Sequence, residues 1–400
     1  MSIKVVELFA GVGGFRIGFE NVSKEFDTIW ANQWEPGKKS QYAYDCYVKN
    51  FGKKHNCTNV DIAIAKADVP EHDLLCGGFP CQDYSVAATN AKGIEGKKGV
   101  LWWDIRDIVE AKSPKVIFLE NVDRLLKSPA SRRGRDFGII LRCLDGLGYA
   151  VEWRVINAAE YGFPQKRRRT LIIAYKKDSN FYKKIKDNKP VENIMHNGIL
   201  AQAFAIESVE GYKETNISKD YYKNLVDVSN NFVFTFENAG FMNNGIISTC
   251  KVSSKYNQHV TTLREILDTK VEDKYFIRGE VLDKWKYLKG AKRILRQKPN
   301  GEPYYFTEGA IPFPDNLDIP ARTMLTSESS VNRSSHIILD PIKSEYRLLT
   351  PEECEKINGF PVGWTKDSMP HKFRYFVMGN ALVVGLIEKV AKVLIKEFND

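Results

Sequence analysis

Short apolar runs alternate with amphipathic stretches along the first 175 residues. Residues 3–9 (IKVVELF), 27–31 (DTIWA), 72–78 (HDLLCGG), 115–121 (KVIFLEN), 150–156 (AVEWRVI) and 170–175 (TLIIAY) are rich in β-branched and aromatic side chains. Most are apolar nearly throughout, the pattern of strands covered on both faces. Between them, residues 15–22, 40–51, 101–112 and 137–148 read as helices. In the third of these, Leu101, Trp102, Ile105, Ile108 and Val109 share one helical face. The alternation predicts an α/β fold: a doubly wound, Rossmann-like sheet with helices on both sides and a site at the carboxyl ends of its strands.

The rhythm stops near residue 176. Residues 177–345 are rich in lysine, asparagine and serine, with irregular strand-like pieces such as 231–236 (NFVFTF), and predict a second, smaller domain. A helix restarts after Thr350, which sits three residues before Glu353 as a cap should. Over residues 385–398, Leu386, Val390, Val393, Leu394 and Phe398 form one stripe, so this last helix is expected to pack back on the first domain.

Composition narrows the class. The 400 residues are 43% hydrophobic and 12% aromatic, as in a folded globular protein. No run approaches the ~18 apolar residues of a membrane helix, and the N-terminus does not read as a signal peptide. The seven cysteines are scattered, which fits free thiols in a reducing cytoplasm. The net charge of +9 is uneven: residues 166–189 hold ten Lys/Arg against two Asp, and residues 284–298 (KWKYLKGAKRILRQK) interleave basic and aromatic side chains. Such patches suit a polyanion, or are simply lysine-rich solvated faces.

Three stretches carry candidate chemistry. Residues 8–18 (LFAGVGGFRIG) place Gly11, Gly13 and Gly14 directly after the first strand. A dinucleotide fingerprint would need a glycine where Arg16 stands, so the stretch fits an adenosyl ligand without phosphates, or a plain tight turn. In residues 76–85 (CGGFPCQDYS), no second ligand pair follows at zinc spacing. Pro80 stiffens the loop, so Cys81 lies just past a strand end as an exposed nucleophile would, while Cys76 belongs to the strand. Residues 118–122 (FLENV) end a neighbouring strand with Glu120 and Asn121, and residues 165–169 (QKRRR) bring guanidiniums that favour a thiolate.

Taken in order, LFAGVGGFR, GFPCQDYS, LENV, QKRRR and GNALVVGLI (379–387) resemble the motifs of the cytosine-C5 DNA methyltransferases, of the bacterial single-chain type. The matching motifs span the first 175 residues and the last fifty. The resemblance implies that Cys81 adds to C6 of a cytosine flipped out of double-stranded DNA, while Glu120 protonates or hydrogen-bonds N3. It implies that Arg167 and Arg169 hold the base, with Asn121 and Gln165 in support. C5 then takes the methyl of S-adenosyl-L-methionine, leaving S-adenosyl-L-homocysteine, with no metal. For the cofactor it implies Phe9 against the adenine, Gly11, Gly13 and Gly14 around the methionine part, and Trp34 on the adenosine. Asp61 and Ile62 would meet the adenine, and Pro80, Leu101, Asn380 and Ala381 would close the pocket.

Two positions depart from the family pattern. Gln33 stands where a glutamate usually binds the ribose hydroxyls, so either Gln33 or Glu35 is expected to do so. Glu7 stands where aspartate is commoner and is expected to change little. The implied division is a catalytic and cofactor-binding domain over 1–185, a target-recognition domain over 186–346, a hinge over 347–372 and a returning C-terminal helix over 373–400. Residues 243–245, 284–298 and 326–335 are candidates for DNA contact, and the loop 85–99 is expected to close over the duplex. The likeness suggests a CG-containing target, which no nameable residue carries. A monomer is expected, with an associated restriction endonuclease as a possible companion. Competing readings are an RNA cytosine-C5 methyltransferase, a non-catalytic DNA-binding regulator and a thiol oxidoreductase.

Overall fold

A computed structural model describes residues 2–52, 56–79 and 101–399. Strands β1 (Ile3–Leu8), β2 (Phe26–Asn32), β3 (Asn56–Thr58), β4 (Leu74–Gly78) and β5 (Val116–Val122) lie in the order β3-β2-β1-β4-β5 and pair in parallel. Next come β7 (Arg168–Lys176) and β6 (Tyr149–Asn157), with β7 antiparallel to both β5 and β6. The expected strands are therefore present, each within a few residues of its apolar run.

Side-chain alternation explains why both faces are covered. On β1, Val6 and Leu8 join one core cluster while Ile3 and Val5 join another. On β5, Ile117 and Leu119 go with the first, Val116 and Phe118 with the second. Helix α1 (Gly14–Glu20) gives Phe15 and Phe19 to the second cluster, and helices α2 (Tyr42–Phe51) and α3 (Ile62–Ala65) flank β2 and β3. Helices α4 (Leu101–Lys112) and α5 (Arg135–Gly146) bury Trp102, Ile105, Ile108, Phe137 and Ile140 in the first. The terminal helix Val384–Asn399 packs on α1, with Leu386, Ile387, Val390 and Leu394 in the second cluster. Each such side chain contributes about 1.5–3 kcal/mol on burial.

The sheet does not stop at residue 185. Strands β8 (Ile206–Asn216), β9 (Ala239–Asn243) and β10 (Ile246–Ser254) extend it through β6–β9 pairing, giving ten strands in one sheet. The segment 231–236, expected as strand-like, is not a strand: Asn231 ends the helix Leu225–Asn231. Its alternating Phe232 and Phe236 instead plug the core beside Phe137, and Phe234 N–H donates to Arg133 O (3.0 Å). Aromatic alternation here served docking rather than a ladder.

Register also locates the candidate DNA contacts. Met242 pairs with Val151, and Val151 pairs with Ala174, which faces Ile117 early in β5. The Asn243–Asn244–Gly245 turn therefore sits at the end of the sheet opposite Glu120, and its expected place at the DNA is withdrawn. A third core cluster joins Val12, Ile17 and Cys46 to Leu263, Leu317, Met324, Cys354 and Tyr375, so the later residues pack over the glycine turn. The helix Pro351–Asn358 begins with the expected capping box between Thr350 and Glu353. Beyond this body stands a two-stranded ribbon, β11 (Lys292–Gln297) and β12 (Pro303–Glu308).

Candidate active site

The carboxyl ends of β4 and β5 meet at Glu120. Parallel pairing sets Gly78 beside Glu120, Phe79 N–H donates to Glu120 O (3.3 Å), and Asn121 Nδ2 donates to Phe79 O (2.8 Å). A Cβ on residue 78 would lie 3.0 Å from Glu120 Oε2, so glycine there leaves the carboxylate its room. The chain then runs toward Pro80 and Cys81. These two residues, with the loop 85–99, lie outside the described residues.

Antiparallel pairing of β5 and β7 sets Arg169 opposite Val122. Its Nε lies 2.7 Å from Glu120 Oε1 as an ion pair, with both side chains about 15% exposed (16% and 15%), while its Nη1 donates to Arg168 O (2.8 Å). An ion pair this close, shielded but reachable, engages one carboxylate oxygen and leaves the other available.

Arg167 is placed differently from the expectation that it holds the base. It is 1% exposed, with Nη1 donating to Met324 O (3.2 Å) and Nη2 to Gly379 O (3.0 Å) and Asn380 O (3.4 Å). Burial, then the charge of Arg169, pushes its guanidinium down to about 9, so it remains charged at neutral pH. It ties the segment after residue 321 to the corner at 379–380. Gln165, two residues earlier, ties the same segment to Asn358: its Nε2 donates to Asn358 Oδ1 (2.7 Å), and its Oε1 accepts from Met324 N–H (3.2 Å).

The glycine turn follows β1. Phe9 has φ of 53°, a left-handed conformation rare for a bulky residue, and Gly11 and Gly13 have φ of 56° and 89°. A Cβ on Gly11 would meet nothing within 4 Å among the described residues, so they leave the turn open there. Gly11 N–H donates to Gln33 Oε1 (2.7 Å), which joins the ends of β1 and β2. Gln33 is buried, Trp34 and Glu35 are half-buried, and Glu35 Oε2 has no partner among the described residues. Burial raises the Glu35 carboxyl above its ordinary range. Asp61 caps α3 through Ala63 N–H (3.1 Å), while Ile62 and Leu101 pack in the first core cluster. Gly14 packs on Leu382 and Phe360, next to Asn380 and Ala381 at the end of the helix His371–Asn380.

Sequence reasoning missed what lies under this turn. Glu7 is fully buried and pushed up to about 7 by desolvation, against a hydrogen bond from Tyr47 Oη to its Oε2 (3.0 Å). Its Oε1 has no partner among the described residues. Arg16, the residue that spoiled the dinucleotide pattern, stacks over Phe51 (4.1 Å) and pairs with Glu20 (2.6 Å). Arg16 at that position was the available signal, since a cation buried there needs a paired carboxylate.

Known proteins supply the context. Residues 3–396 match the family model of the C-5 cytosine-specific DNA methylases. The Type II methyltransferase M.Sau3AI of Staphylococcus aureus is 51% identical over 398 residues, covering 97% of this chain and 94% of that protein. M.HhaI of Haemophilus parahaemolyticus is 38% identical over 181 residues, 45% of this chain and 51% of its own length. Among solved structures, the Dnmt2 methyltransferase of S. pombe superposes with a TM-score of 0.61 at 14% identity, over the full length of both chains, a likeness of fold. With the family matched across nearly its whole length, the chain belongs to the C-5 cytosine-specific DNA methylases and is a DNA cytosine-5 methyltransferase.

Proposed function

We propose that the chain methylates C5 of a cytosine flipped out of a specific duplex sequence, using S-adenosylmethionine, as the methyltransferase of a Type II restriction-modification pair. The observation that carries the mechanism is the 2.7 Å Arg169–Glu120 pair, beside the strand that leads to Cys81. Cys81 Sγ bonds to C6 of the base, which loads electron density onto C5. Arg169 pairs with Glu120 Oε1, so Oε2 is the oxygen that shares a proton with N3, and Arg169 Nη2 is left for the base, its Nη1 donating to Arg168 O. C5 gains the methyl and loses its proton, and breaking the Sγ–C6 bond restores the ring. Arg167 and Gln165 act as positioning residues, through the backbone at 324 and 379.

S-adenosylmethionine, when bound, supplies an electrophilic methyl group. The residues present fit it: an open glycine turn accepts a close ligand, and the surrounding polar atoms suit a nucleoside. In this reading Gln33 offers Nε2 to a ribose hydroxyl, its Oε1 being held by Gly11, and Glu35 Oε2 is the second polar atom available. Phe9, Trp34, Asp61, Ile62, Pro80, Leu101, Asn380 and Ala381 complete the cofactor side. No helix among the described residues is long and apolar enough to cross a membrane.

Covalent trapping tests this reading. Duplex DNA of mixed sequence with fluorine at cytosine C5, incubated with the protein and S-adenosylmethionine, should give a denaturant-stable adduct that is lost in Cys81→Ser. An adduct that persists in Cys81→Ser, or none despite DNA binding, would contradict it.

A further inference from the structure

The ribbon β11–β12 has two unlike faces. Lys292, Ile294, Arg296, Tyr304, Phe306 and Glu308 alternate onto one, which is fastened at its base. There, Glu308 pairs with Lys292 (3.6 Å) and Arg333 (2.7 Å), and Lys292 Nζ donates to Leu288 O (3.0 Å). The other face carries Arg293, Leu295, Gln297, Tyr305 and Thr307. Leu295 is 60% exposed and Tyr305 55%, so among the described residues both stand largely uncovered. An isolated two-stranded ribbon is at most marginally stable in water, and this one exposes Leu295 and Tyr305 among Arg293, Gln297 and Thr307. A surface of this kind is built to be covered.

Charge identifies what covers it. The outer face carries Arg293 and no Asp or Glu, within a stretch, 284–298, that holds seven Lys/Arg, of which Lys289 is buried against Asp315 and Lys292 pairs with Glu308. Arg293 lies over the Tyr305 ring at 4.1 Å, and among the described residues no carboxylate pairs with it. The ring thus holds the guanidinium in place while its donors stay free. The ribbon's root is also tied to the reaction centre. Arg333, which grips Glu308 and donates to Gly309 O, belongs to the segment that starts at Met324, whose carbonyl accepts from Arg167.

We propose that β11–β12 enters the major groove of the substrate duplex, with Arg293, Leu295 and Gln297 facing base edges. The inference rests on duplex DNA as substrate. A groove ~12 Å wide admits a two-stranded ribbon. The side chains match its edges: an arginine fork for guanine O6 and N7, a glutamine amide for adenine, and an apolar contact for the thymine methyl.

The test starts by mapping the target of the wild-type protein on plasmid DNA by bisulfite sequencing. The kcat/KM is then measured on that duplex and on each single base-pair substitution, for wild type, Arg293→Ala and Arg293→Lys. Both variants should lose about 10- to 100-fold on the mapped duplex and discriminate less at one base pair, with S-adenosylmethionine affinity unchanged. Unaltered discrimination at every base pair would overturn the proposal. So would a uniform loss, with a shallower salt dependence, that Arg293→Lys restores, because that is the mark of a phosphate contact. A wild-type protein that methylates no duplex would remove the substrate reading itself, an outcome separate from either.

Discussion

Glu120 and Asp315 are both carboxylates gripped by arginine, but their settings differ. Glu120 ends a strand of a ten-stranded sheet, and its place follows from ladder register with Gly78 on one side and Leu171 on the other. Large apolar clusters on both faces hold that sheet. Asp315 lies where the apolar clusters are smaller. It is 5% exposed and accepts from Arg322 Nε (2.5 Å), Ile337 N–H (2.9 Å) and the fully buried Lys289 (3.4 Å). Nearby, Glu328 faces His336 (2.9 Å), and Arg347 joins Glu353 (2.8 Å) and Asp340 (2.6 Å), all buried. One region positions its chemistry by hydrogen-bonded strands over oil. The other fixes loops and a ribbon with charge networks, which are directional where apolar contact is not.

The comparison can be broken at either carboxylate. In Glu120→Gln the fold should persist, since the residue is part-exposed and its strand is set by the ladder. Methyl transfer should fall about 10²- to 10⁴-fold, the usual weight of a proton-transfer group, read as kcat beside a denaturant melt. An equal loss of stability would mean that the corner is structural. Asp315→Asn should do the reverse and destabilise by about 3–5 kcal/mol, because Lys289 and Arg322 would be left without their carboxylate. Urea unfolding measures this, and a change below ~1 kcal/mol would show that the network is dispensable.

Legibility divided along the same line. Strands 3–9 and 115–121 stand out in the sequence because burial on both faces demands apolar runs, and Thr350 announces its helix because a cap needs a hydroxyl three residues before a glutamate. The motif residues around Glu120 were recognisable as a set. What escaped depended on partners distant in sequence. Arg167 reads like Arg169, yet Arg167 lies just before β7 and donates to carbonyls at 324 and 379, while Arg169 lies within β7 and pairs with Glu120. β8–β10 carry too little apolar surface to announce that they extend the sheet beyond β6. The position of the turn at 243–245 follows from register, which a turn motif does not encode.

Glu7 sharpens the comparison from inside the sheet, with the smallest expected effect. Its folded pKa, about 7 against an ordinary 4.5, means that the folded chain binds a proton more tightly than the unfolded one. That contribution to stability is complete below pH ~4.5 and is lost as pH rises through 7. Glu152, also raised to about 7 by burial, adds to the same slope and is retained in Glu7→Gln. The stability of Glu7→Gln relative to wild type should therefore improve by about 1–3 kcal/mol between pH 5 and pH 8. A pH-independent difference would place Glu7 in contact with water or with a cation.

The division of labour is tested most directly by one single-turnover experiment at saturating DNA, run on wild type, Arg169→Ala and Arg293→Ala. Arg169→Ala should slow methyl transfer at least about 100-fold, with DNA affinity within a few-fold of wild type. Arg293→Ala should instead reach nearly the wild-type rate once saturated and need more DNA to do so. The opposite assignment, a lost rate in Arg293→Ala and a merely weakened complex in Arg169→Ala, would contradict it.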